Sequence, residues 1–526
     1  MVDKYKVLIT TSGIGSRLGE LTKYTNKSLV RIGKKPALSY IIERYDDNVE
    51  IVITLGHFGN QVKDFINMAY PNKKITYVQI DNYMGPGSSL LYSILKTKEY
   101  LQTPFIFHVS DTIIDDNVVK PYFNYIIGSN TIDTSQYRII TNNNNKIKIQ
   151  EKGYLGDIGT DNYLAHIGLV GVFNYKDFWK TLEKVYKNNK NSLELSDVHV
   201  INEMKNDFTI IKTNNWLDIG NSKTLSIARK KIKDKFDILD KNDESIFIFK
   251  DFVIKFFYDK KIAKNRAYRC DLLKELTPKL IDYKNNFYKY EYINGILLSK
   301  VINENIFSNF LEWSFKNLWK KTSLSEFHNI TYDFYINKTI KRIEKYQIKN
   351  NLIDKVDIIN GIKVPKIEDM LNHIDKKWLC SSESYQYHGD YILDNIIFKD
   401  NNFILIDWRQ DFGGDLENGD IYYDLAKLNH NLVFNHDLIN KKMFTIKMKN
   451  DNIICDIFRS NNLIECQKIL HSTINKNNID LKKVELLSSI IWLNMSPLHN
   501  GKLGEFLYYF GKINLYKNLK KNNMIK

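Results

Sequence analysis

At 526 residues the chain exceeds what one ordinary hydrophobic core supports and suits two or three domains. Hydrophobic residues at 43% and charged residues at 26% exclude a disordered chain, and no apolar run is long enough to cross a bilayer. The formal net charge of +15 would suit a nucleic-acid binder, but the lysines are scattered and no basic arm or stacking-aromatic motif gathers them. Neither nucleic acid nor a membrane span is therefore expected, and the excess charge can serve phosphate-handling clefts. The first residues lack the apolar stretch and cleavage site of a secretory signal, and the 4 cysteines lie far apart. Free thiols and a cytoplasmic location are expected.

From Lys6 to about Ile227, short β-branched runs alternate with amphipathic segments. Lys6 to Thr10, Val49 to Leu55, Lys74 to Gln79 and Phe105 to Val109 read as strands. Ala37 to Tyr45, Asn60 to Met68 and Ser88 to Tyr100 read as helices between them. This alternation predicts an α/β domain, a mixed and mostly parallel sheet of Rossmann-like type covered on both faces. Asn142 to Asn145 reads as a hairpin tip. A mixed-charge stretch ends this region. We expect a first domain over 1–230, a linker over 231–243 and a second domain over 244–526. In the second, strand-like runs (Ile246 to Phe249, Val253 to Phe257, Tyr288 to Tyr292) precede a mostly helical region, an α+β arrangement of a small sheet lobe and a larger helical lobe.

The opening strand runs into Thr10-Thr11-Ser12-Gly13-Ile14-Gly15-Ser16-Arg17-Leu18. Glycines after a buried strand let backbone N–H groups approach phosphate oxygens, and Arg17 offers a fork of donors to the same anion. Lys27 is a second cation in reach. Asp111 follows an apolar strand and Asp218 ends another run, Trp216-Leu217-Asp218-Ile219-Gly220. Two carboxylates facing a triphosphate can hold Mg²⁺, and Lys152 supplies a cation for a phosphorylated acceptor. On these pieces, with Gly85-Pro86-Gly87-Ser88-Ser89, residues 1 to about 230 resemble the sugar-phosphate nucleotidyltransferases, a family that also holds phosphocholine cytidylyltransferase-like enzymes. The resemblance implies that an acceptor phosphate attacks the α-phosphorus of an NTP and expels pyrophosphate. It implies that Gly13 and Gly15 cradle phosphates and that Arg17 and Lys27 stabilise transition-state charge. Asp111 and Asp218 would hold magnesium, Lys152 would contact the acceptor phosphate, and Gly85, Gly87 and Ser88 would lie near base or ribose. Two departures stand out: Thr10-Thr11-Ser12 replaces the usual small-residue opening, and Asn26 replaces a common proline.

The second half carries Tyr387-His388-Gly389-Asp390-Tyr391-Ile392-Leu393-Asp394-Asn395, then the strand-like Phe403-Ile404-Leu405-Ile406 and Asp407-Trp408. An Asp to accept a hydroxyl proton, an Asn five residues later and an Asp after the next strand make a phosphoryl-transfer set. Asp390 would orient the acceptor hydroxyl, with Asn395 and Asp407 binding magnesium. On these motifs residues 241 to 526 resemble the choline kinase and aminoglycoside phosphotransferase family, which implies a protein-kinase-like fold. By that resemblance Lys255 grips the α- and β-phosphates of ATP, and Glu291 lies in the hinge that contacts adenine. No glycine-rich loop precedes Lys255, and Arg266 to Leu276 offers only Asp271 and Glu275 as acidic partners for it. Asp411-Phe412-Gly413 spells a metal-binding tripeptide, but its distance from the strand favours Asp407.

Together the two halves read as a bifunctional transferase. A small alcohol, choline-, ethanolamine- or polyol-like, would be phosphorylated with ATP and then joined to NMP from CTP or UTP, CTP favoured, for surface glycan or lipid decoration. Two alternatives stay open: a sugar 1-kinase joined to a sugar-1-phosphate nucleotidyltransferase, and an active nucleotidyltransferase carrying a non-catalytic kinase-like module. The partners expected are these nucleotides and a small phosphorylated alcohol or sugar, and a homo-oligomer is allowed. Histidines such as His57, His166, His199 and His430 read as packing or surface residues.

Overall fold

The opening apolar run Lys6–Thr10 becomes the central strand of a mixed nine-stranded sheet. The computed structural model describes residues 4–131, 133–143, 146–156, 163–190, 192–204, 208–232, 241–449 and 451–525. Lys6–Thr10 pairs in parallel with Glu50–Leu55 on one side and Phe105–Val109 on the other, and Ile75–Gln79 extends the parallel part. Tyr163–Val172 then runs antiparallel to Phe105–Val109, followed by the hairpin strands Ile139–Asn143 and Lys146–Gln150. The tip residues 144 and 145 of the expected Asn142 to Asn145 turn lie outside the described residues. Tyr125–Thr131 pairs with Tyr163–Val172 and takes Thr209–Thr213 in parallel.

The central strands are continuous apolar runs because both faces are covered. Val7, Ile9, Ile51 and Ile53 enter one core with the helix Gly59–Ala69. Leu8 and Val52, pointing the other way, enter a second core with Leu91, Ile94, Phe178 and Trp179. The parallel order puts the carboxyl ends of Lys6–Thr10 and Phe105–Val109 side by side, and the ligand-binding edge of an α/β sheet forms there.

A four-stranded antiparallel sheet follows, in the order Glu244–Ile248, Phe252–Phe257, Phe287–Glu291, Leu280–Lys284. The sequence places this sheet in the second domain, but packing groups it with the first. The two compact units are Met1–Ala263 with Ile281–Tyr292, and Lys264–Leu280 with Ile293–Lys526. The physical reason is a shared core. Phe247, Phe249, Ile254, Phe256 and Phe287 are buried with Phe65 and Ile66 of the helix Gly59–Ala69, and the Phe65 and Phe247 rings lie 5.4 Å apart. A backbone bond from Ile248 N–H to Lys34 C=O (2.8 Å) ties the first of these strands down. Of the expected linker 231–243, residues 233–240 lie outside the described residues.

The second unit is mostly helical, as expected. Leu481–Met495 and Gly501–Lys521 are its longest packed pair, with Ile421–Val433 against the former. A hairpin, Ile396–Lys399 and Asn402–Leu405, follows the His388-Gly389-Asp390 segment. A four-stranded sheet of Ile362–Val364, Asp357–Ile359, Asn452–Ile457 and Phe444–Lys449 was not anticipated from the sequence. Two of its strands are only three residues long, too short for a period-two signal.

Phe65→Ala is expected to cost about 3–5 kcal/mol, the usual penalty for emptying a fully buried aromatic position. Because its core is shared, hydrogen exchange should show residues 59–69 and 244–257 losing protection together. Loss confined to 59–69 would mean that the small sheet is held independently.

Candidate active sites

In the first unit the opening loop is built around Lys27. Asn26 is fully buried; its amide nitrogen donates to Thr11 C=O (2.9 Å) and its oxygen accepts from Ser28 N–H (2.9 Å). This caps the short turn Lys27–Leu29, so the Asn26 departure is a structural anchor for the lysine. Gly15 adopts a φ of 73°, and a β-carbon there would sit 2.7 Å from Lys27 Cβ. Gly15 therefore serves by giving Lys27 room, and it does not itself line the cleft.

Lys27 Nζ meets Asp111 Oδ2 at 3.1 Å, with Arg17 Nη2 at 3.9 Å from the same oxygen. A β-carbon on Gly220 would lie 3.1 Å from Asp218 Oδ1, 3.2 Å from Arg17 Nη2 and 3.4 Å from Asp111 Oδ2. The two carboxylates and the guanidinium thus converge on one small space that only glycine leaves open. Burial alone would raise the Asp111 carboxyl, but the Lys27 ammonium, and after it Arg17, hold it below the usual carboxylate range. Burial lowers the Lys152 ammonium, and the nearby Arg17 and Arg138 lower it further.

Arg17, Lys27, Asp111, Lys152 and Asp218 line one cleft of about 370 Å³, with Gly13 and Ser88 also on its wall. Gly85 and Gly87 are not on that wall; with φ of 84° and 81° they turn the chain so that Ser88 and Ser89 are. Ser89 also caps the helix Leu90–Leu95.

Several cleft residues escaped sequence reading. Tyr137 hydroxyl and Gln136 Nε2 donate to Asp218 Oδ2 at 2.8 and 2.9 Å. Arg138, also lining, is held by Glu151 at 2.9 Å. His166, expected to be a packing or surface residue, lines the cleft and pairs with Asp197 at 2.8 Å. Burial would raise Asp197, but the imidazole beside it holds it down. Gln136, Tyr137 and Arg138 are consecutive, His166 sits on the strand Tyr163–Val172 and Asp197 opens the helix Asp197–Glu203, so no single motif announces them.

In the second unit the His388-Gly389-Asp390 segment is suspended from Asp424. Its two carboxylate oxygens accept from His388 N–H (2.8 Å) and Gly389 N–H (2.7 Å), and Trp319 Nε1 donates to it at 3.2 Å. Burial pushes Asp424 up to about 6 against these hydrogen bonds. His388 is fully buried, and burial lowers it to about 4. The neutral ring fits its partners as a donor from Nε2 to Ile406 C=O (3.0 Å) and an acceptor at Nδ1 from Asp390 N–H (3.2 Å). Asp420, four residues before Asp424, caps the helix Ile421–Val433 and accepts from Tyr335 and Ser382.

Asp390 Oδ1 meets Lys427 Nζ at 2.7 Å, and Asn395 Nδ2 donates to Asp390 Oδ2 at 3.2 Å. Burial opposes ionisation of Asp390, yet Lys427 holds it at about 2. Asp407 adopts a left-handed φ of 58° and pairs with Arg266. Arg269, almost fully buried, donates to the carbonyls of Tyr387, His388 and Arg409 and stacks 3.8 Å over the Tyr387 ring. In the helix where an acidic residue was sought, two arginines do the organising. Lys255 is buried on Phe252–Phe257 and Glu291 ends Phe287–Glu291, both in the first unit. The turn between Glu244–Ile248 and Phe252–Phe257 is Phe249-Lys250-Asp251, without glycine, and its Phe249 stacks on Phe252.

Residues 326–437, which include this segment, match the phosphotransferase enzyme family. The N-terminal region is similar to the bifunctional protein GlmU of Methanococcus aeolicus, 28% identical over 223 residues, covering 40% of this chain and 51% of the relative. The GlmU of Methanocaldococcus jannaschii is 25% identical over 259 residues, 47% of this chain and 60% of that protein. The chain spans about half the length of the curated relatives it matches. Among solved structures, CTP:phosphocholine cytidylyltransferase from Streptococcus pneumoniae is 18% identical, covers 44% of this chain and 100% of its own, and gives a TM-score of 0.37. HddC from Yersinia pseudotuberculosis is 21% identical, with coverages of 44% and 100% and a TM-score of 0.34. The chain is thus similar to GlmU proteins over its N-terminal region and to the phosphotransferase enzyme family over residues 326–437.

Asp424→Ala should cost about 1–3 kcal/mol for each buried N–H it strands, measured by urea unfolding, with Asp424→Asn recovering part. The Asp390–Lys427 pair has a definite pH signature. Its carboxyl is depressed from 3.8 to about 2, so the stability it adds is fully present above about pH 4 and fades as pH falls toward 2. The gap in urea midpoint between wild type and Lys427→Met should narrow over that window. A gap that stays constant would mean Lys427 acts by packing alone.

Proposed function

We propose that the first unit transfers a nucleotidyl group from an NTP, CTP in preference to UTP, to a small phosphate monoester, and that the second unit makes that monoester from an alcohol and ATP. The observation that carries this reading is the convergence of Arg17, Lys27, Asp111 and Asp218 on the space beside Gly220. Two carboxylates and two cations around one point are a receptor for a polyphosphate and its counter-ion, not for a neutral ligand.

In the transferase step an oxygen of the acceptor phosphate bonds to the α-phosphorus of the NTP and the bond to pyrophosphate breaks. Arg17 and Lys27 stabilise the negative charge that develops on the α-phosphoryl oxygens and the leaving group. Lys152, whose charge is destabilised by burial and by Arg17, gains most when an anionic acceptor arrives beside it. Tyr137 and Gln136 fix Asp218 by hydrogen bonds, leaving its orientation set before substrate binds. The oxygen donors fit Mg²⁺: Asp111 and Asp218 would hold it here, and Asn395 and Asp407 in the second unit. When bound, it neutralises phosphate charge.

In the kinase step the acceptor hydroxyl donates to Asp390, its oxygen bonds to the γ-phosphorus, ADP leaves, and the proton passes to the carboxylate. Held at about 2 by Lys427, Asp390 is a weak base, suited to orienting the hydroxyl and taking the proton late. A second reading, in which the second unit binds without transferring, draws support from the Arg266–Asp407 pair and the glycine-free turn Phe249-Lys250-Asp251.

Mass spectrometry of the full chain with Mg²⁺, ATP and CTP or UTP over a panel of alcohols and sugars tests both steps. An NDP-linked product that needs both nucleotides is expected. Asp390→Asn should abolish its formation from the free alcohol but not from the phosphorylated one, and Asp111→Asn should lower both at least 100-fold. Unchanged ATP-dependent phosphorylation in Asp390→Asn would sink the kinase assignment. Full nucleotidyl transfer in Asp111→Asn would sink the other.

A further inference from the structure

The second unit holds a cavity of about 480 Å³ that none of the predicted site residues lines. Its wall carries Lys338, Lys341, Arg342, Lys345 and Arg409 against two carboxylates, Asp333 and Asp411, with Phe334, Pro497 and Leu498 as its apolar part. Among the described residues none of the five cations is ion-paired. Arg342 instead donates to Asn494 C=O (2.9 Å), Arg409 to Asp411 C=O (2.9 Å), and Lys338 lies 3.5 Å over the Phe334 ring. Lys338 is held well below its ordinary value, first by burial and then by Arg409, Arg342 and Lys427. The cavity is therefore a place where like charges repel and Asp411 offsets only part of that repulsion.

The cavity abuts the transfer segment. Arg409 N–H donates to His388 C=O at 3.0 Å, and a β-carbon on Gly389 would collide with Arg409 Cβ at 2.7 Å. Gly389 directly precedes Asp390. Lys338 feels the charge of Lys427, which itself grips Asp390 at 2.7 Å. A molecule seated in the cavity thus lies against Arg409, which packs on the Gly389 that precedes Asp390. Guanidinium groups on the wall suit a planar or tetrahedral oxyanion, and Phe334 and Leu498 suit a short carbon skeleton.

We propose that this cavity is the acceptor pocket of the second unit and that the alcohol it receives carries an oxyanion, a carboxylate or phosphate, besides the hydroxyl that is phosphorylated. The inference rests on the kinase reading above and narrows its substrate class. It runs opposite to the choline- or ethanolamine-like acceptor expected from the sequence, because a quaternary or primary ammonium would add charge to an already repelling set.

The test uses the full chain with Mg²⁺ and ATP, comparing D-glycerate and glycerol 3-phosphate with glycerol, choline and ethanolamine by acceptor-dependent ADP release. Calorimetric binding of glycerol 3-phosphate and inorganic phosphate is measured in parallel, without turnover. The charge reversal Lys341→Glu/Lys345→Glu lies on one helix face, away from the buried core, and its folding is checked by melting. An anionic alcohol should be used with kcat/KM at least 10-fold above glycerol. The double variant should raise its KM at least 10-fold while leaving the KM for ATP unchanged. Preference for choline or ethanolamine, anion binding indifferent to the charge reversal, or an effect on ATP alone would each overturn the proposal. Anion binding that the variant weakens, with no alcohol phosphorylated, would keep the pocket and remove the kinase reading.

Discussion

The central carboxylates Asp111, Asp390 and Asp407 each stand against a cation, and much of each site is arranged around those pairs. A site for phosphates needs carboxylates and cations close together, yet isolated buried charges are costly to desolvate. Lys27 against Asp111 meets this requirement in the first unit, and Lys427 against Asp390 and Arg266 against Asp407 meet it in the second. The pairing keeps both the Asp111 and the Asp390 carboxyl below its ordinary value against a burial that pushes it up. A ligand that reaches these carboxylates therefore enters by exchanging ion pairs rather than by creating them.

Around those pairs the chain spends its hydrogen bonds on backbone geometry. Asn26 caps the turn that presents Lys27; Asp424 suspends the segment that presents Asp390. Both are buried polar side chains whose bonds go mainly to main chain, one step removed from the chemistry. Arg269 extends the same logic by gathering three carbonyls from two loops, a task for which the planar guanidinium fork is suited and an aliphatic side chain is not.

The sheet was legible where its signal was local. Lys6–Thr10 and Phe105–Val109 have the bounds read from their β-branched and aromatic runs, because a strand buried on both faces is a continuous apolar segment. Arg17, Lys27, Asp111, Lys152 and Asp218 were picked out by motif spacing on strand ends and their loops, and the fold brings them to one cleft. Tyr137, His166, Asp197 and the basic cavity were not, since they meet only after distant loops converge. The allegiance of the strands Glu244–Ile248 and Phe252–Phe257 was hidden for a related reason. Alternating Phe and Ile residues say that one face is buried, but not against what, and here the partner is the helix Gly59–Ala69, far upstream.

That allegiance bears on the glycine-free turn. In a strand pair that had only to cover a nucleotide, the turn would need backbone freedom and an open outer face. Phe249 is instead committed to the core it shares with Phe65 and Tyr70, and it stacks on Phe252 across the turn. A residue pinned on both sides cannot also fold over phosphates, so the turn is a packing element of the first unit. The cations of the second unit come from its helices, with Lys338, Arg342 and Lys427 projecting from them and loop-borne Arg409 close enough to depress Lys338. Fixed cations of this kind cost repulsion in the empty protein, visible in the lowered Lys338, and that repulsion is what an anionic ligand would discharge.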